Sequence, residues 1–496
     1  MGVDKIETVW PPLPFIPSHR GEGKYLMGKM DLHGKRILVV GLARTGLATA
    51  RFLRERGAVV SATEIKCREE VEKEVSRDVE AMGLSVEWGG HHEETFLAQD
   101  LIVVSPGVDL AIEPIQKAMK KEIPILSEIE LAYRFIRVPI IAVTGTNGKT
   151  TTTLLIGEML KEDGRIVGVG GNVGEPLILF ADEKKGWEAL VVEISSFQLE
   201  AIETFRPRIS VLLNVTEDHL DRYPSYDDYI EAKSRIFVHQ TPEDDAVLNG
   251  DDPIVMKLAE SVKAKRAFFS LKEKGNRTAF YDSPNIILNL GLNLGLNLGE
   301  EETYSIAKAP LKGIHNVENM MAAITAARLL GCSRRAVQDV LNRFEGIEHR
   351  LEFVRELRGV RYYNDSKGTN VGSVVKSLQS FSEPIILIAG GKDKEGDLSP
   401  LKDLIRSRVK GMILIGEAKG RMARELGGLT KTATAETLEE AVLLAQGTAK
   451  EGEVVLLSPA CSSYDMFKDY KERGKVFKEA VKKLKHPITN KSQWTK

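Results

Sequence analysis

Hydrophobic residues come in short, nearly unbroken runs, each handed over to a polar turn and then to a stretch with helical spacing. Lys35–Val40, Val59–Thr63 and Leu101–Val104 come first; Val138–Val143 and the starts of Ala189–Glu200 and Ile209–Tyr223 follow; Val360–Asn364, Ile385–Ala389, Met412–Ile415 and Val454–Leu457 close the series. Runs of this length without polar alternation predict strands covered on both faces, hence parallel sheets. Helical spacing fills gaps to about Arg56 and over Thr151–Lys161, Asp227–Val238 and Asn319–Leu330. The alternation predicts an α/β fold, and it resets near Arg137 and after Gly346, which makes three α/β domains. The expected boundaries are an extension over 1–30, domains over 31–137, 138–346 and 347–485, and a tail over 486–496.

The 496 residues, 42% hydrophobic and 28% charged, supply enough material for those cores. A net charge of −2 leaves no footprint for nucleic acid or an anionic membrane, so an anionic ligand has to be met by local cations and backbone amides. Cys67, Cys332 and Cys461, odd in number and far apart, argue for a reducing compartment, and no apolar run marks a signal peptide or membrane span. A cytoplasmic protein is expected. Met1–Lys29, rich in Pro, Gly and charge, reads as a disordered extension with Met27 or Met30 as alternative starts. LNLG recurs three times over Leu288–Gly299, which reads as a surface hairpin or strand without catalytic duty.

The richest chemistry lies at VTGTNGKTTT, Val143–Thr152, where a strand passes into a helix. Gly145 and Gly148 let the backbone wrap an anion, turn amides and the helix N-terminus present N–H groups to it, Lys149 supplies a cation, and Thr150 offers Mg²⁺ a hydroxyl. Val143 stands where the general phosphate-loop pattern has its first glycine, so this is a shorter T-G-T-N-G-K-T variant, and the site expects a nucleoside triphosphate.

A second turn, Gly41–Gly46 (GLARTG), follows the first strand, and Glu64 ends the next one, as in a dinucleotide-binding fingerprint. Ala43 occupies the middle glycine position, which leaves a nicotinamide dinucleotide, another nucleotide diphosphate or a ligand-free turn all open. Ser105-Pro106-Gly107 ends a further strand at the same sheet edge. Because ligands gather at the carboxyl ends of parallel strands, Glu193 and His219 are expected in one crevice with Lys149 and Thr150. For Glu193 the alternative is a solvated edge carboxylate, and His219, beside Asp218, is a metal ligand, a phosphate contact or an ordinary satisfied histidine. Lys233 is by periodicity a helix lysine, while Asn316 and Asn319 fall at a helix start, where capping accounts for them. In the third domain the strand ends carry Asn364–Lys367, Gly390–Lys394 and Ser458–Ser463. No serine elbow or Cys/His pair supports covalent hydrolysis.

TGTNGKT, GGNVG, EISSFQLE, NVTEDHLDRY, HNVEN, EHRLE, NDSKGTN and SPACSSYDMF occur in one order along Gly34–Lys485. Together they resemble the Mur ligase family. The resemblance implies a Rossmann-like UDP-binding domain, a central P-loop ATPase domain with a mostly parallel sheet, and a C-terminal Rossmann-like domain bringing the amino acid. Within the family the motifs are most similar to the branch that adds D-glutamate to UDP-N-acetylmuramoyl-L-alanine for peptidoglycan precursor synthesis. That implies an ATP-dependent peptide ligase working through an acyl phosphate, with ATP, two Mg²⁺ ions and a carbamylated lysine, as a monomer. Alternatives are another Mur ligase or folylpolyglutamate synthetase and, from a different class, a nicotinamide-dependent oxidoreductase suggested by Gly41–Gly46 alone.

By matching motif, Gly145, Thr146, Asn147, Gly148, Lys149, Thr150 and Thr151 are implied to hold ATP phosphates, with Asn316, Asn319, Arg350 and Asp365 on the adenosine side. Thr150, Glu193, His219 and Lys233, the last as its carbamate, are implied to serve the metals, and Lys149, Glu193, His219 and Lys233 are the implied catalytic set. Lys367, Thr369, Lys394, Ser463 and, through its backbone, Tyr470 match the D-glutamate positions. Arg44, Thr45, Glu64, Lys66, Ser105 and Asn172 match the UDP-sugar contacts. Three places depart from the family pattern: Ala43 replaces a glycine, Glu64-Ile65-Lys66 stands where Asp-Thr-Arg is common, and Tyr470 replaces an aromatic of similar size.

Overall fold

A computed structural model describes residues 30–485, apart from 72, 182–184, 220–221, 273–276, 292–300, 312, 347 and 394–395. The N-terminal extension, the tail, Lys394 and most of the LNLG repeat therefore lie outside the described residues. Among the described residues no helix is long and apolar enough to cross a membrane.

The chain builds three sheets in succession. The first contains β1 (Arg36–Val40), β2 (Val59–Glu64), β3 (Ser85–Trp88), β4 (Leu101–Val104) and β5 (Ile125–Ser127) in the order β3-β2-β1-β4-β5, all parallel. Strand order reverses at β1, so the turn after Val40 and the loop after Val104 flank one crevice, as expected for an open parallel sheet.

The second sheet comprises β6 (Ile140–Thr144), β7 (Val167–Gly171), β8 (Ala189–Glu193), β9 (Ile209–Leu212), β10 (Asp245–Asn249), β11 (Lys265–Ser270), β12 (Ala279–Asp282), β13 (Asn285–Leu288) and β14 (Glu302–Ser305). Their order is β14-β13-β12-β11-β10-β9-β6-β8-β7, parallel from β7 to β12 and antiparallel beyond. β6 lies between β8 and β9, so their three C-terminal ends open side by side. Only the start of the LNLG tract is described, and there Leu288 closes β13 at the antiparallel margin.

The third sheet joins β15 (Glu352–Leu357), β16 (Val360–Asn364), β17 (Ile385–Gly390), β18 (Val409–Ile415), β19 (Lys431–Thr434) and β20 (Val454–Leu457) in the order β15-β16-β20-β17-β18-β19, parallel except for β15.

Two helices begin earlier than their apolar spacing predicts, because glycine sets their start. The helix after β6 runs Lys149–Glu162 rather than from Thr151, with Gly148 as N-cap at φ 92°. The helix expected from Asn319 runs Ile314–Leu329 behind Gly313 at φ 97°, so Asn316 and Asn319 are buried residues of its first turns and not its caps. The two helices pack on each other through Leu155, Ile156 and Met159 and the row Met320–Ala323. Full burial of each large aliphatic side chain there stabilises the domain by about 1.5–3 kcal/mol.

Buried carboxylates join the first two domains. Glu130 accepts from the amides of Glu203 (3.0 Å), Thr204 (2.9 Å) and Phe205 (2.8 Å) and pairs with Arg134 at 3.0 Å. Glu128 accepts from Ile178 N at 2.6 Å; burial without a cation pushes its pKa to about 7.

Candidate functional site

Gly145 and Gly148 shape the loop between β6 and its helix. Gly145 takes φ 145°, and a Cβ on Gly148 would lie 2.3 Å from Asn319 Oδ1, so only glycine fits. No side chain caps this helix, which leaves its first-turn amides for a ligand. Asn214, at the end of β9, fixes the loop from outside: its Oδ1 accepts from Asn147 N at 2.8 Å and its Nδ2 donates to Asn147 O at 3.0 Å. Thr146 is tied to the same side, its Oγ1 donating to Thr216 O at 3.1 Å.

Lys149 folds back so that Nζ donates to Gly145 O and Thr146 O, both at 2.8 Å. Lys233 reaches the same Gly145 carbonyl at 3.1 Å from the helix Tyr226–Ser234. Its side chain is only 2% exposed, and burial, with the neighbouring Lys149 charge, drives its pKa well below the usual lysine value. The Lys149 pKa is lowered for the same first reason, burial.

Opposite stands Glu193 at the end of β8. Its Oε1 accepts from Asn172 Nδ2 at 2.9 Å, whereas Oε2 is buried without a partner. An orphaned carboxylate oxygen costs about 1–3 kcal/mol or more unless something occupies it, and with the Thr150 hydroxyl it makes the hard-oxygen setting that suits Mg²⁺. His219 sits in the left-handed region at φ 57°, with its ring 4.9 Å from Phe197, edge-on, and Nε2 3.9 Å from Asp218 Oδ2. Among the described residues no group of three or more His, Cys, Asp and Glu side chains is arranged around a metal position. A divalent ion here would draw on Thr150, Glu193, His219 and substrate oxygens.

The third domain closes over this edge. Lys367 Nζ lies 3.1 Å from Thr150 Oγ1, Ser373 Oγ donates to Asn147 Oδ1 at 3.1 Å, and Asn370 Nδ2 reaches Asp218 Oδ2 at 3.4 Å. Burial and the Arg350 charge lower the Lys367 pKa to about 8. Asp365 is fixed by Ser377 Oγ (2.6 Å) and Ser458 Oγ (2.7 Å). The result is a cavity of about 700 Å³ at the junction.

Lining it are Arg44, Thr45, Thr146, Asn147, Gly148, Lys149, Thr150, Asn172, Glu193, His219, Asn319, Arg350, Asp365, Lys367, Thr369 and Tyr470, so sequence-predicted residues from all three domains meet in one space. Lys233 and Gly145 stand behind the loop, and Thr151 and Asn316 are buried, the latter accepting from Asn319 Nδ2 at 3.0 Å. Ser463 is buried as well, and Glu64, Lys66 and Ser105 do not line the cavity. The last three build the first-domain turn: Glu64 Oε2 accepts from Leu42 N at 2.8 Å and Oε1 from Lys66 N at 3.3 Å, and Ser105 Oγ donates to Gly41 O at 2.8 Å.

Sequence reasoning missed Arg473. It is fully buried, and its guanidinium donates to Ser366 Oγ (3.0 Å), Ser366 O (2.9 Å), Cys461 O (3.1 Å) and Ser462 O (3.0 Å). It thereby ties together the loops that carry Lys367 and Ser463. The only sequence signal is a charged residue on the inward face of an amphipathic helix.

Three family models match in order: Mur ligase MurD-like N-terminal domain over residues 35–127, Mur ligase middle domain over 143–327 and Mur ligase glutamate ligase domain over 349–461. The chain is 52% identical over 455 residues to a UDP-N-acetylmuramoylalanine–D-glutamate ligase of Geotalea daltonii, covering 92% of this chain and 99% of the relative. It is 46% identical to the enzyme of that name from Acidobacterium capsulatum, covering 91% and 97%. Among solved structures, a pseudomurein peptide ligase type C from Methanothermus fervidus superposes with a TM-score of 0.57 at 20% identity, covering 91% of this chain and 100% of the other. A UDP-N-acetylmuramate-alanine ligase from Thermotoga maritima gives 0.55 at 20% identity, covering 90% and 99%; at that identity both report on the fold alone. A phosphate loop, an orphaned carboxylate and a lysine-bearing third domain around one cavity fit that company, and the chain belongs to the Mur ligase family.

Proposed function

We propose that this protein is the ATP-dependent ligase that joins D-glutamate to UDP-N-acetylmuramoyl-L-alanine in the cytoplasm, a step of peptidoglycan precursor synthesis. The names carried by its relatives support the substrate, and one observation carries the chemistry: Lys149, Arg350 and Lys367 converge with the unpaired Glu193 oxygen on one cavity. An L-alanyl carboxylate is a poor electrophile. Its oxygen therefore takes the γ-phosphoryl first and ADP leaves; the D-glutamate amine then attacks the acyl carbon, loses a proton, and the C–O bond to phosphate breaks. Little covalent work falls to the protein, so positioning and charge neutralisation dominate. The uncapped helix start and Lys149 hold the phosphates, Lys367 follows the transferred group, and Asn319, Arg350 and Asp365 border the adenosine side. Thr369, Lys394, Ser463 and the Tyr470 backbone take the D-glutamate; Arg44, Thr45, Glu64, Lys66, Ser105 and Asn172 take the sugar nucleotide. Mg²⁺, when bound, supplies positive charge against the phosphate oxygens, and Thr150, Glu193 and His219 would hold it.

Lys233 is the residue whose role its surroundings change most. Burial of the Lys233 amine disfavours its charged form, and the neutral form is the one that adds CO₂ to become an anionic oxygen donor. Lys233→Ala should lose turnover and recover much of it with a short carboxylic acid. Failure of rescue with ATP still bound would count against the carbamate.

The test of the whole reading is phosphate release with UDP-N-acetylmuramoyl-L-alanine, ATP, Mg²⁺ and a panel of amino acids. Turnover with D-glutamate alone is expected. Preference for meso-diaminopimelate or L-alanine, or turnover with glutamylated folate, would replace it with a sister ligase.

A further inference from the structure

One arginine at the seam between the first two domains has no part in the chemistry above. Arg222 lies three residues beyond His219, and its side chain is 17% exposed. Its guanidinium makes a full set of contacts: Nη2 donates to Val108 O and to Glu200 Oε2, both at 2.9 Å, Nη1 donates to Gly107 O at 3.3 Å, and Cζ sits 4.3 Å over the Phe197 ring. The other oxygen of Glu200 accepts from Tyr223 Oη at 2.6 Å. A rigid planar fork can hold two carbonyls, a carboxylate and a ring face together, and a lysine cannot.

Both ends of this clamp lead to the site. On the first-domain side, Gly107 and Val108 belong to the loop after β4, which presses on the turn after β1. A Cβ on Gly41 would come within 3.2 Å of both Ser105 Cβ and Val108 Cγ2, so loop and turn move as one. On the second-domain side, Phe197 belongs to the short helix that follows Glu193, with Glu200 as its C-cap, and Phe197 meets the His219 ring at 4.9 Å. Backbone bonds from Arg222 N and Tyr223 N to His219 O, at 3.0 and 3.1 Å, complete the connection.

We infer that Arg222 is a positioning residue that fixes the Gly41–Gly46 turn relative to the Glu193–His219 edge, so that a carboxylate carried by the first domain meets the transferred phosphoryl group at attacking distance. This rests on the ligase reading given above. A displacement of about 1 Å is enough to cost roughly a hundredfold in rate, and a clamp four residues wide controls a displacement of that size.

The test compares wild type, Arg222→Ala and Arg222→Lys in the full chain. The alanine variant should lose tenfold or more in kcat/KM for the sugar nucleotide, with KM for ATP within twofold and the thermal midpoint nearly unchanged. Added guanidinium at low millimolar concentration should restore part of the loss, and lysine should restore little. Unchanged sugar-nucleotide parameters, or equal losses for all three substrates together with a large drop in thermal midpoint, would overturn the positioning role. Failure of the ligase reading shows separately, as wild-type protein that does not turn over D-glutamate. The clamp is then read by hydrogen exchange of the Val108 amide in wild type and Arg222→Ala: about tenfold faster exchange in the variant supports it, and equal rates overturn it.

Discussion

Two turns in this molecule have the same topology and opposite electrostatics. After β1 and after β6 a buried parallel strand breaks into glycine-bearing turn and then helix, and neither helix has a side-chain cap. At Gly145–Gly148 the amides of Thr146 and Asn147 are spent on Asn214, and Lys149, Lys233, Arg350 and Lys367 gather around the uncapped helix start together with Glu193, Asp218 and Asp365. At Gly41–Gly46 the turn amide of Leu42 is already taken by the Glu64 carboxylate, and Gly41 N donates to Thr63 O at 2.9 Å. A helix N-terminus attracts phosphate through its unspent donors, and cations gathered beside it strengthen that attraction. Glu64 therefore suits the first turn to a group that donates hydrogen bonds, such as a base, whereas the cations around the second suit it to an anion. Topology supplies both crevices, and the neighbouring strand end decides what each one binds.

The largest effect should come from Lys149→Ala. Removing the one cation held against both loop carbonyls should lower turnover about a thousandfold while circular dichroism stays that of the wild type. Retained turnover would mean that the charge of the loop does not matter, and the comparison would collapse.

Glycine substitutions separate the turns next. Gly148→Ala forces a Cβ to 2.3 Å from Asn319 Oδ1 at a φ of 92°, in the turn proposed to hold ATP phosphates. Strain of roughly 1–3 kcal/mol there should appear as a roughly 10–100-fold loss in kcat, with KM for the sugar nucleotide little altered. Gly46→Ala places its Cβ 1.9 Å from Gly41 O, inside the packed turn. Overpacking of about 1–3 kcal/mol should lower the thermal midpoint by roughly 5 °C, with ATP binding by calorimetry intact. The same outcome for both variants would erase the distinction between a turn that grips a ligand and one that grips itself.

How much of this was legible depends on whether the cause is local. The Gly145–Gly148 turn and its cation could be read because Gly-Lys-Thr after a strand carries its own geometry and charge within a few residues. Glu193 and His219 could be placed in the crevice because parallel strands end together. Nothing local marks Arg473 or Arg222: each matters through carbonyls from distant loops, and a backbone carbonyl has no letter in the sequence. Spacing alone puts Asn316 and Asn319 at a helix start, where capping accounts for them; Gly313 starts the helix earlier and packing against the Lys149–Glu162 helix buries both. Lys233 looked like any helix lysine; its burial against Gly145 O follows from the approach of the Tyr226–Ser234 helix to the loop, which periodicity does not encode.

The smallest effect, at Glu64, bears most directly on what separates the turns. The carboxylate is 9% exposed, accepts from Leu42 N and Lys66 N, and retains lone pairs for one more donor. Glu64→Gln keeps an acceptor for Leu42 and removes the charge, so only the ligand should notice. If a base donates to Glu64, the loss of a charge-assisted bond should raise KM for the sugar nucleotide about 3–10-fold, leave KM for ATP unchanged and leave the thermal midpoint where it was. Glu64→Ala strands the Leu42 amide in addition, and should lower stability by about 1–3 kcal/mol on top of the same KM change. The informative outcome is the sign in the glutamine variant. A lower KM would mean that the charge had been repelling a phosphate placed in this turn, which would make the two turns alike in what they bind and different only in how tightly.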